Sequence, residues 1–246
     1  MPDLRVLGVI PARLDSTRLS RKVLREIAGV PMVAHVFRRA RQSPLLSDLL
    51  VATDAQEVVD ACHALGIPAV MTSADHPSGT DRVWEISRSR AADVYVNIQG
   101  DEPLISPGHI ALLVEPFRRR PETQVTTLKI RATPKEVSNP DVVKVVAGAQ
   151  GNALYFSRLP IPFDRDKVVA PAYWKHLGIY AYRREALESF HRFPPSALET
   201  AERLEQLRFL EHGIPIQVVE TMEKTIGVDT EADLRAVEAH LRSRPQ

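Results

Sequence analysis

The first hundred residues alternate between short apolar runs and segments with helical spacing, and this alternation limits the fold more than any other feature of the sequence. Runs such as "LRVLGVIPA" and "DLLVAT" have the length of buried strands. Between them, "VPMVAHVFRRARQS" carries Val33, Val36, Phe37 and Ala40 at helical spacing. Strands that alternate with helices form largely parallel sheets covered on both faces. The sequence therefore predicts an α/β fold with a mostly parallel central sheet, whose ligands bind at the carboxyl ends of the strands.

The second half of the chain is less regular. "QVTTLKI" and "DVVKVVAG" alternate like strands, and "SALETAERLEQLRFLEHG" is predicted as one helical segment that ends at Gly213. "IQVVE" and "EADLRAVEAHLRSR" predict a last strand and a closing helix. No linker or low-complexity stretch separates the two halves. We therefore expect one domain over 1–246, with an excursion over about 138–213 packed on its core.

The composition excludes several classes of protein. The chain has 32 basic and 31 acidic residues, so no global field attracts it to nucleic acid or to an anionic membrane, and neither is an expected partner. No apolar run approaches the roughly 20 residues of a membrane span, and the amino terminus lacks the apolar core of a secretory signal. Cys62 is the only cysteine and is expected to be a buried, small apolar residue. We expect a cytoplasmic protein.

The loop after the first predicted strand is strongly basic. The stretch "VIPARLDSTRLSRK" contains Arg13, Arg18, Arg21 and Lys22 but no glycine. It matches neither GxxxxGK[ST] nor GxGxxG. At the end of a strand, Arg13, Arg18 and Lys22 could bind a polyphosphate together with backbone N–H groups. The alternative is a solvated basic surface.

Two carboxylates follow apolar stretches in the manner of metal ligands. Asp101 ends the predicted strand of "VNIQGDEP", and Asp229 precedes the closing helix in "IGVDTEADL". Beside the basic loop they would suit a nucleotide bound with Mg²⁺, the acids holding the metal and the bases the phosphates. Asp101 could instead belong to a simple turn, and Asp229 could cap the helix in competition with Thr230.

An ordered series of stretches resembles the 3-deoxy-manno-octulosonate (Kdo) cytidylyltransferases. The resemblance runs from Leu4 to about Leu241, and "HPSGTDR", "FSRLPIPFDRD" and "KHLGIYAYR" narrow it to the Kdo enzymes within the wider nucleotidyltransferase group. The remaining stretches are "VIPARLDSTRLSRK", "GVPMVAHV", "VATD", "NIQGDEP", "NPDVVKVV", "LETAERLEQLR" and "GVDTEADL".

The resemblance implies a single nucleotide-diphospho-sugar-transferase-like, Rossmann-like domain that joins CTP to Kdo, releases pyrophosphate and requires Mg²⁺. By analogy, Arg18 and Lys22 would hold the triphosphate while Asp101 and Asp229 ligate Mg²⁺, and these four are the candidate catalytic residues. The implied CTP-binding residues are Ala12, Arg13, Arg18, Lys22, Ser78, Gly79, Thr80, Arg82 and Gly100. The implied Kdo-binding residues are Gln99, Arg158, His176, Tyr180, Glu205 and Gln206.

The basic loop departs from the family it resembles. That family usually has Arg-Leu-Pro-Gly-Lys, whereas this chain has Ser20 and Arg21 in place of the Pro-Gly pair. Loss of Pro-Gly predicts a loop that is more mobile before nucleotide binds and costs more to order. Arg21 is expected to face water, with a phosphate contact as the alternative.

Several readings of the function remain open from the sequence. The acceptor could be an amino-substituted Kdo or a sialic acid, or the chain could be a non-catalytic nucleotide-binding or regulatory protein. Lys22, Asp101 and Asp229 argue against the last, because a binding module has no need of paired metal carboxylates. The resemblance also implies a homodimer formed through the excursion. The aromatic stretches "ALYFSRLPIPF" and "YWKHLGIYAY" could supply that contact or complete the domain core.

Overall fold

The protein is represented by a computed structural model that describes residues 4–14, 19–167 and 170–243. Its contacts divide the chain into two compact units, the first formed by 1–111 with 225–246 and the second by 112–224. The predicted excursion over about 138–213 lies inside the second unit. The extent of the domain and of the excursion stays a prediction.

Helices and strands alternate between residues 30 and 147, and after that elements of one kind follow one another. The strands are β1 (Val6–Pro11), β2 (Glu26–Ile27), β3 (Val30–Pro31), β4 (Asp48–Thr53), β5 (Ala69–Met71), β6 (Val94–Asn97), β7 (Val125–Arg131), β8 (Lys144–Ala147), β9 (Ala153–Ser157), β10 (Trp174–Tyr182) and β11 (Ile216–Glu220). The helices are α1 (Met32–Ala40), α2 (Gln56–Ala64), α3 (Gly79–Ser89), α4 (Pro107–Arg119), α5 (Pro134–Ser138), α6 (Arg184–Arg192), α7 (Ala197–Glu202), α8 (Leu207–Glu211) and α9 (Glu231–Ser243), with one 3₁₀ turn at Lys22–Leu24.

A parallel sheet forms the centre of the first unit. Its strands lie in the order β6-β1-β4-β5, and every neighbouring pair is parallel. Asn97 pairs with Val9 and Ala52 pairs with Pro11, so β1, β4 and β6 end at one edge of the sheet. β1, β4 and β6 are almost wholly buried, as expected for a sheet covered on both faces. The loops that follow them therefore start from fixed positions at the carboxyl edge.

A second buried cluster in the first unit joins segments that are distant in the sequence. Leu19 from the basic loop packs with Ile27 of the β2–β3 hairpin and with Leu104. Val228 and residues of α9 complete the cluster. Burial of these apolar side chains holds the end of the basic loop and the start of α9 against the same core.

The strands of the second unit are mixed in direction. β7 pairs in parallel with β11 and antiparallel with β10. β8 and β9 form an antiparallel pair that joins β10 through Lys144 and Lys175. In the core of the second unit, the ring of Tyr182 stacks with those of Tyr180 and Phe209. No helix in the described part of the chain is both long and apolar enough to cross a bilayer.

Local sequence predicted most of these elements but not all. The helical segment predicted over 196–213 is two short helices, α7 and α8, because Arg203 adopts a left-handed conformation with φ of 54° and ends α7. Gly213, with φ of 75°, follows α8 as expected. Two further elements were not predicted from the sequence: α4, which contains Pro116, and the β2–β3 hairpin.

Candidate active site

One lysine joins two carboxylates at the carboxyl edge of the parallel sheet. Lys22 Nζ lies 2.5 Å from Asp101 Oδ2 and 2.7 Å from Asp229 Oδ1. The lysine side chain is 12% exposed, whereas the two aspartates are 32% and 43% exposed. The structure thus brings together three of the four predicted catalytic residues. The fourth, Arg18, lies outside the described residues.

The electrostatics of this cluster keep the lysine charged. Burial alone would lower the pKa of Lys22, but the charges and hydrogen bonds of Asp101 and Asp229 outweigh burial and raise the pKa above its ordinary value. The ammonium group therefore offsets one of the two carboxylate charges beside it, which leaves the cluster with a net negative charge. When a ligand brings a metal cation with it, that cation can take the place of the ammonium group beside the carboxylates.

The backbone just before Lys22 is strained in this chain. Arg21 adopts φ of 54° and ψ of 35°, a left-handed conformation that glycine accepts more readily than arginine. Arg21 stands where the resembled family has the glycine of its Pro-Gly pair. Its side chain is 58% exposed and pairs with Glu57, so the expectation that it faces water agrees with the structure.

Gly100 allows the Asp101 loop to approach β1 closely. A Cβ atom at position 100 would lie 2.8 Å from the backbone oxygen of Pro11 and 3.6 Å from Cα of Ala12. Only glycine fits this contact without a backbone shift. Ala12 itself is fully buried and its N–H donates to Ala52 O at 2.9 Å. The predicted nucleotide residues Ala12 and Gly100 thus lie side by side.

Thr230, not Asp229, caps α9. Thr230 Oγ1 accepts from Asp233 N at 3.3 Å, while Asp233 Oδ2 accepts from Thr230 N at 2.9 Å. This reciprocal arrangement has the geometry of a capping box with aspartate in the usual place of glutamate. Asp233 Oδ2 also accepts from Asp229 N at 3.1 Å. The Asp229 carboxylate is therefore available to Lys22, and the Thr-x-x-Asp spacing of "TEAD" was the signal for Asp233 that the sequence analysis missed.

The other predicted nucleotide-binding residues lie at the start of α3 or contact the segment just before it. Ser78 caps this helix by accepting from Asp81 N, and Thr80 is fully buried. Gly79 lies against the Pro11 ring, since a Cβ atom there would be 3.4 Å from it. The Arg13 guanidinium donates to the backbone oxygen of His76, which ties the basic loop to the segment before α3.

Arg82 is a fully buried arginine held by polar groups of the same unit. It pairs with the Asp54 carboxylate and donates to Thr72 Oγ1 at 2.7 Å and to Ser73 O at 3.1 Å. Asp54 directly follows β4, so Arg82 fixes the loop at that strand end. The sequence analysis missed Asp54, although "VATD" was among the resembling stretches. A contact between Arg82 and cytosine stays a prediction.

The predicted Kdo-binding residues are distributed over both units, and each is described within its own. In the first unit, Gln99 Nε2 donates to Asn97 Oδ1 at 3.2 Å. In the second, the Arg158 guanidinium donates to the backbone oxygens of Glu202 and Pro140 at 2.8 and 3.1 Å. These bonds orient the guanidinium group, and the backbone oxygens that accept them are neutral.

His176 and Tyr180 are buried in the second unit. Burial lowers the pKa of His176 to about 3, so the ring is neutral, and its Nε2 lies 3.0 Å from Thr127 Oγ1. Burial likewise raises the pKa of Tyr180 well above its ordinary value. Gln206, just before α8, is buried, and Glu205 beside it is half-buried. Their roles toward a sugar stay predictions.

The pair of aspartates fits Mg²⁺ by its chemistry. Mg²⁺ in nucleotide enzymes takes one or two carboxylates and completes its coordination with phosphate oxygens and water. Asp101 and Asp229 provide two such carboxylates with oxygens partly open to solvent. Among the described residues, no group of three or more histidine, cysteine or acidic side chains is arranged to hold a metal by itself. The site therefore suits a cation that arrives with a nucleotide.

A parallel sheet with a lysine between two aspartates at its carboxyl edge has the layout expected of an α/β protein that binds a nucleotide together with a cation. The chain belongs to the cytidylyltransferase family, whose model matches residues 7–224. A 3-deoxy-manno-octulosonate cytidylyltransferase of Acidobacterium capsulatum is 57% identical over 99% of both chains. The enzyme of the same name from Koribacter versatilis is 54% identical over 98% of this chain and 92% of its own.

Solved structures show the same fold. The structure of CMP:2-keto-3-deoxy-manno-octonic acid synthetase complexed with CTP is 44% identical and superimposes with a TM-score of 0.93, covering 97% of this chain and 99% of that one. A cytidylyltransferase from Leptospira borgpetersenii is 14% identical with a TM-score of 0.67, covering 99% of this chain and 89% of its own. The second likeness concerns the fold alone.

Proposed function

We propose that this protein transfers CMP from CTP to the anomeric hydroxyl of Kdo, giving CMP-Kdo and pyrophosphate for lipopolysaccharide assembly. The observation that carries the proposal is Lys22 held between Asp101 and Asp229 at the carboxyl edge of the parallel sheet. The names of the relatives support cytidylyl transfer and supply the acceptor.

Lys22 would act on the triphosphate of CTP. The triphosphate is a crowded anion and the anomeric hydroxyl is a weak nucleophile, so catalysis depends on positioning and on neutralising charge. The pKa of Lys22 is raised above its ordinary value, which keeps the side chain cationic at neutral pH. Lys22 would exchange its carboxylate partners for phosphate oxygens when CTP binds, and Arg18 of the same loop would bind phosphate with it.

Asp101 and Asp229 would hold Mg²⁺ brought in with CTP. Bound there, the ion would neutralise phosphate charge and lower the pKa of a hydroxyl that it contacts. The separate attachment of the two aspartates, one after β6 and one before α9, holds their oxygens on either side of Lys22. The proposal therefore requires no dedicated side-chain base.

The other predicted residues would position the two substrates. Ala12, Arg13, Gly100 and the turn at 78–80 would contact the nucleoside, because they surround the same strand ends. Arg158 would supply a cation for the Kdo carboxylate, since backbone oxygens hold its guanidinium in one orientation. Gln99, His176, Tyr180, Glu205 and Gln206 complete the proposed sugar-side set.

The proposed protein is a cytoplasmic homodimer. Leu154, Leu159 and Phe163, all within the predicted excursion, are 66%, 69% and 84% exposed. Apolar side chains this exposed are suited to an interface core. In contrast, Leu177, Tyr180 and other residues of "YWKHLGIYAY" are buried in the second unit, so the first of the two predicted aromatic stretches has the larger free surface.

The test is pyrophosphate release with CTP and Mg²⁺, comparing Kdo, 8-amino-Kdo and N-acetylneuraminate as acceptors. We expect release with Kdo, its loss when EDTA removes Mg²⁺, and its loss in Asp101→Asn, which keeps the size of the side chain but not its charge. Turnover of only another acid sugar would contradict the acceptor. A folded protein that binds CTP but releases no pyrophosphate with any acceptor would contradict catalysis itself.

A further inference from the structure

The two aspartates that face Lys22 belong to segments far apart in the sequence but in direct backbone contact. Asp101 lies in the turn after β6, and Asp229 lies just before α9. Val228 N donates to Asp101 O at 2.9 Å, so the residue before one aspartate is bonded to the other aspartate. This hydrogen bond and the packing of Val228 beside Leu104 hold the two segments together. A second polar attachment would further fix the distance between the carboxylates.

Glu102 provides that second attachment. Its Oε2 accepts a hydrogen bond from Thr225 Oγ1, and its Oε1 faces Gly227, where a Cβ atom would lie only 3.2 Å away. Thr225 and Gly227 precede Asp229 by four and two residues. The Glu102 side chain therefore contacts the segment that carries Asp229. The backbone oxygen of the preceding residue, Asp101, accepts a hydrogen bond from Val228 N in the same segment.

The surroundings make this attachment rigid. Glu102 lies within a tight turn, since its N–H donates to Gln99 O at 3.1 Å and its carbonyl accepts from Ile105 N at 3.0 Å. Thr225 is 9% exposed and Val228 is fully buried in the cluster that includes Leu104. A hydrogen bond to a charged acceptor in such a setting is stronger than one between neutral groups.

We propose that Glu102 and Thr225 are positioning residues that set the separation of Asp101 and Asp229, and thereby the affinity of this pair for a divalent cation bound with CTP. The inference rests on the proposed function, because it assigns these two aspartates to the metal. Glu102 does not touch the cation in this scheme. Its carboxylate is directed at Thr225 and Gly227 and acts through the backbone of the two loops.

The test measures Mn²⁺ binding to the full-length protein with CTP by electron paramagnetic resonance, as the loss of free Mn²⁺ signal beyond that caused by the same concentration of CTP without protein. Thr225→Val keeps the size of the side chain but removes the donor to Glu102. We expect its Mn²⁺ dissociation constant to rise by about tenfold, in the range found when partners of metal ligands are removed. Thr225→Ser keeps the hydroxyl and is expected to bind Mn²⁺ as wild type does.

Pyrophosphate release gives a second reading of the same variants. In Thr225→Val, the Mg²⁺ concentration for half-maximal rate should rise by about the same tenfold factor, while the rate at saturating Mg²⁺ stays within about twofold of wild type. Gly227→Ala should weaken Mn²⁺ binding as well, because the added methyl group displaces the Glu102 carboxylate.

Thr126→Val is the matched control. Thr126 is fully buried in the second unit, and its Oγ1 donates to Leu113 O at 2.8 Å, so this variant also loses one buried hydroxyl hydrogen bond. Its Mn²⁺ affinity should equal that of wild type. Equal Mn²⁺ affinity in Thr225→Val and wild type would overturn the inference, as would an equal loss in Thr126→Val. Failure of wild type itself to bind Mn²⁺ with CTP would overturn the metal role of the two aspartates as well.

Discussion

Lys22 and Asp229 are joined by a hydrogen bond of 2.7 Å between Nζ and Oδ1, although 207 positions separate them in the chain. The bond connects the basic loop after β1 with the segment before α9. Because Asp101 contacts the same ammonium group, the lysine holds together the two carboxylates that the proposed reaction needs. Lys22 of the basic loop therefore pairs with the two aspartates in the absence of phosphate.

Replacing Lys22 should slow catalysis strongly. In Lys22→Met the two aspartates lose their shared cation and the triphosphate loses a proposed ligand, so we expect kcat/KM for CTP to fall by at least about 100-fold, in line with the loss of one preorganised charge. Steady-state pyrophosphate release measures this. Arg25→Met is the matched control, since it removes an ion pair of 2.6 Å to Glu231 at the same loop and should stay within about twofold of wild type. Similar losses in both variants would show that the loop is needed for stability rather than for chemistry.

Acid should destabilise the protein through His176. Burial lowers the pKa of His176 to about 3, against about 6.5 when the chain is unfolded. Protonation therefore favours the unfolded chain, so the stabilisation is complete above about pH 6.5 and is lost as the pH falls toward 3. At pH 5 the expected loss in the free energy of unfolding is about 2 kcal/mol.

Urea denaturation between pH 7 and pH 5 measures this dependence. His176→Gln should remove about 2 kcal/mol of the pH-dependent difference, whatever its effect at pH 7. His63→Gln, at an exposed position in α2, is the control and should keep the dependence of wild type. An unchanged slope in His176→Gln would mean that another group titrates.

Breaking the pair between Arg82 and Asp54 should destabilise the fold. Arg82 is fully buried, so Asp54→Asn leaves a buried cation without its carboxylate, and we expect the free energy of unfolding to fall by about 3 kcal/mol. Chemical denaturation at pH 7 measures the change. Asp48→Asn at the exposed Arg90–Asp48 pair, where the atoms are 3.4 Å apart, should cost less than about 1 kcal/mol. Equal effects would contradict a special role for the buried pair.

A charge at Phe163 should weaken the proposed dimer. Phe163 is 84% exposed, and burying an aspartate there in an interface core should raise the dimer dissociation constant by about 30-fold, equivalent to about 2 kcal/mol. Analytical ultracentrifugation of Phe163→Asp measures the shift. Met222→Asp is the control, because Met222 is 83% exposed in the same unit but outside 138–213. If only Met222→Asp dissociates the dimer, the contact lies outside the predicted excursion.

Local sequence was sufficient where an element depends on its own residues. The apolar runs of β1, β4 and β6 and the periodic spacing of α1 predicted an α/β fold with a mostly parallel sheet, which the structure confirms. Buried parallel strands are apolar throughout and helices are amphipathic, so both are visible within a short window. The prediction of one helix over 196–213 was wrong, although the local pattern is helical. One residue in a left-handed conformation, Arg203, interrupts that pattern.

By itself, the sequence determined where the candidate functional residues lie along the chain: a basic loop after β1, an aspartate after β6 and another before α9. The tertiary structure decided between the alternatives that remained at each place. Asp229 could have capped α9, but Thr230 and Asp233 satisfy the helix end, and Lys22 from the far end of the chain takes the Asp229 carboxylate. Such a choice depends on contacts across 207 positions, which no local pattern contains, because the packing of Leu19 and Val228 into one core brings those segments together.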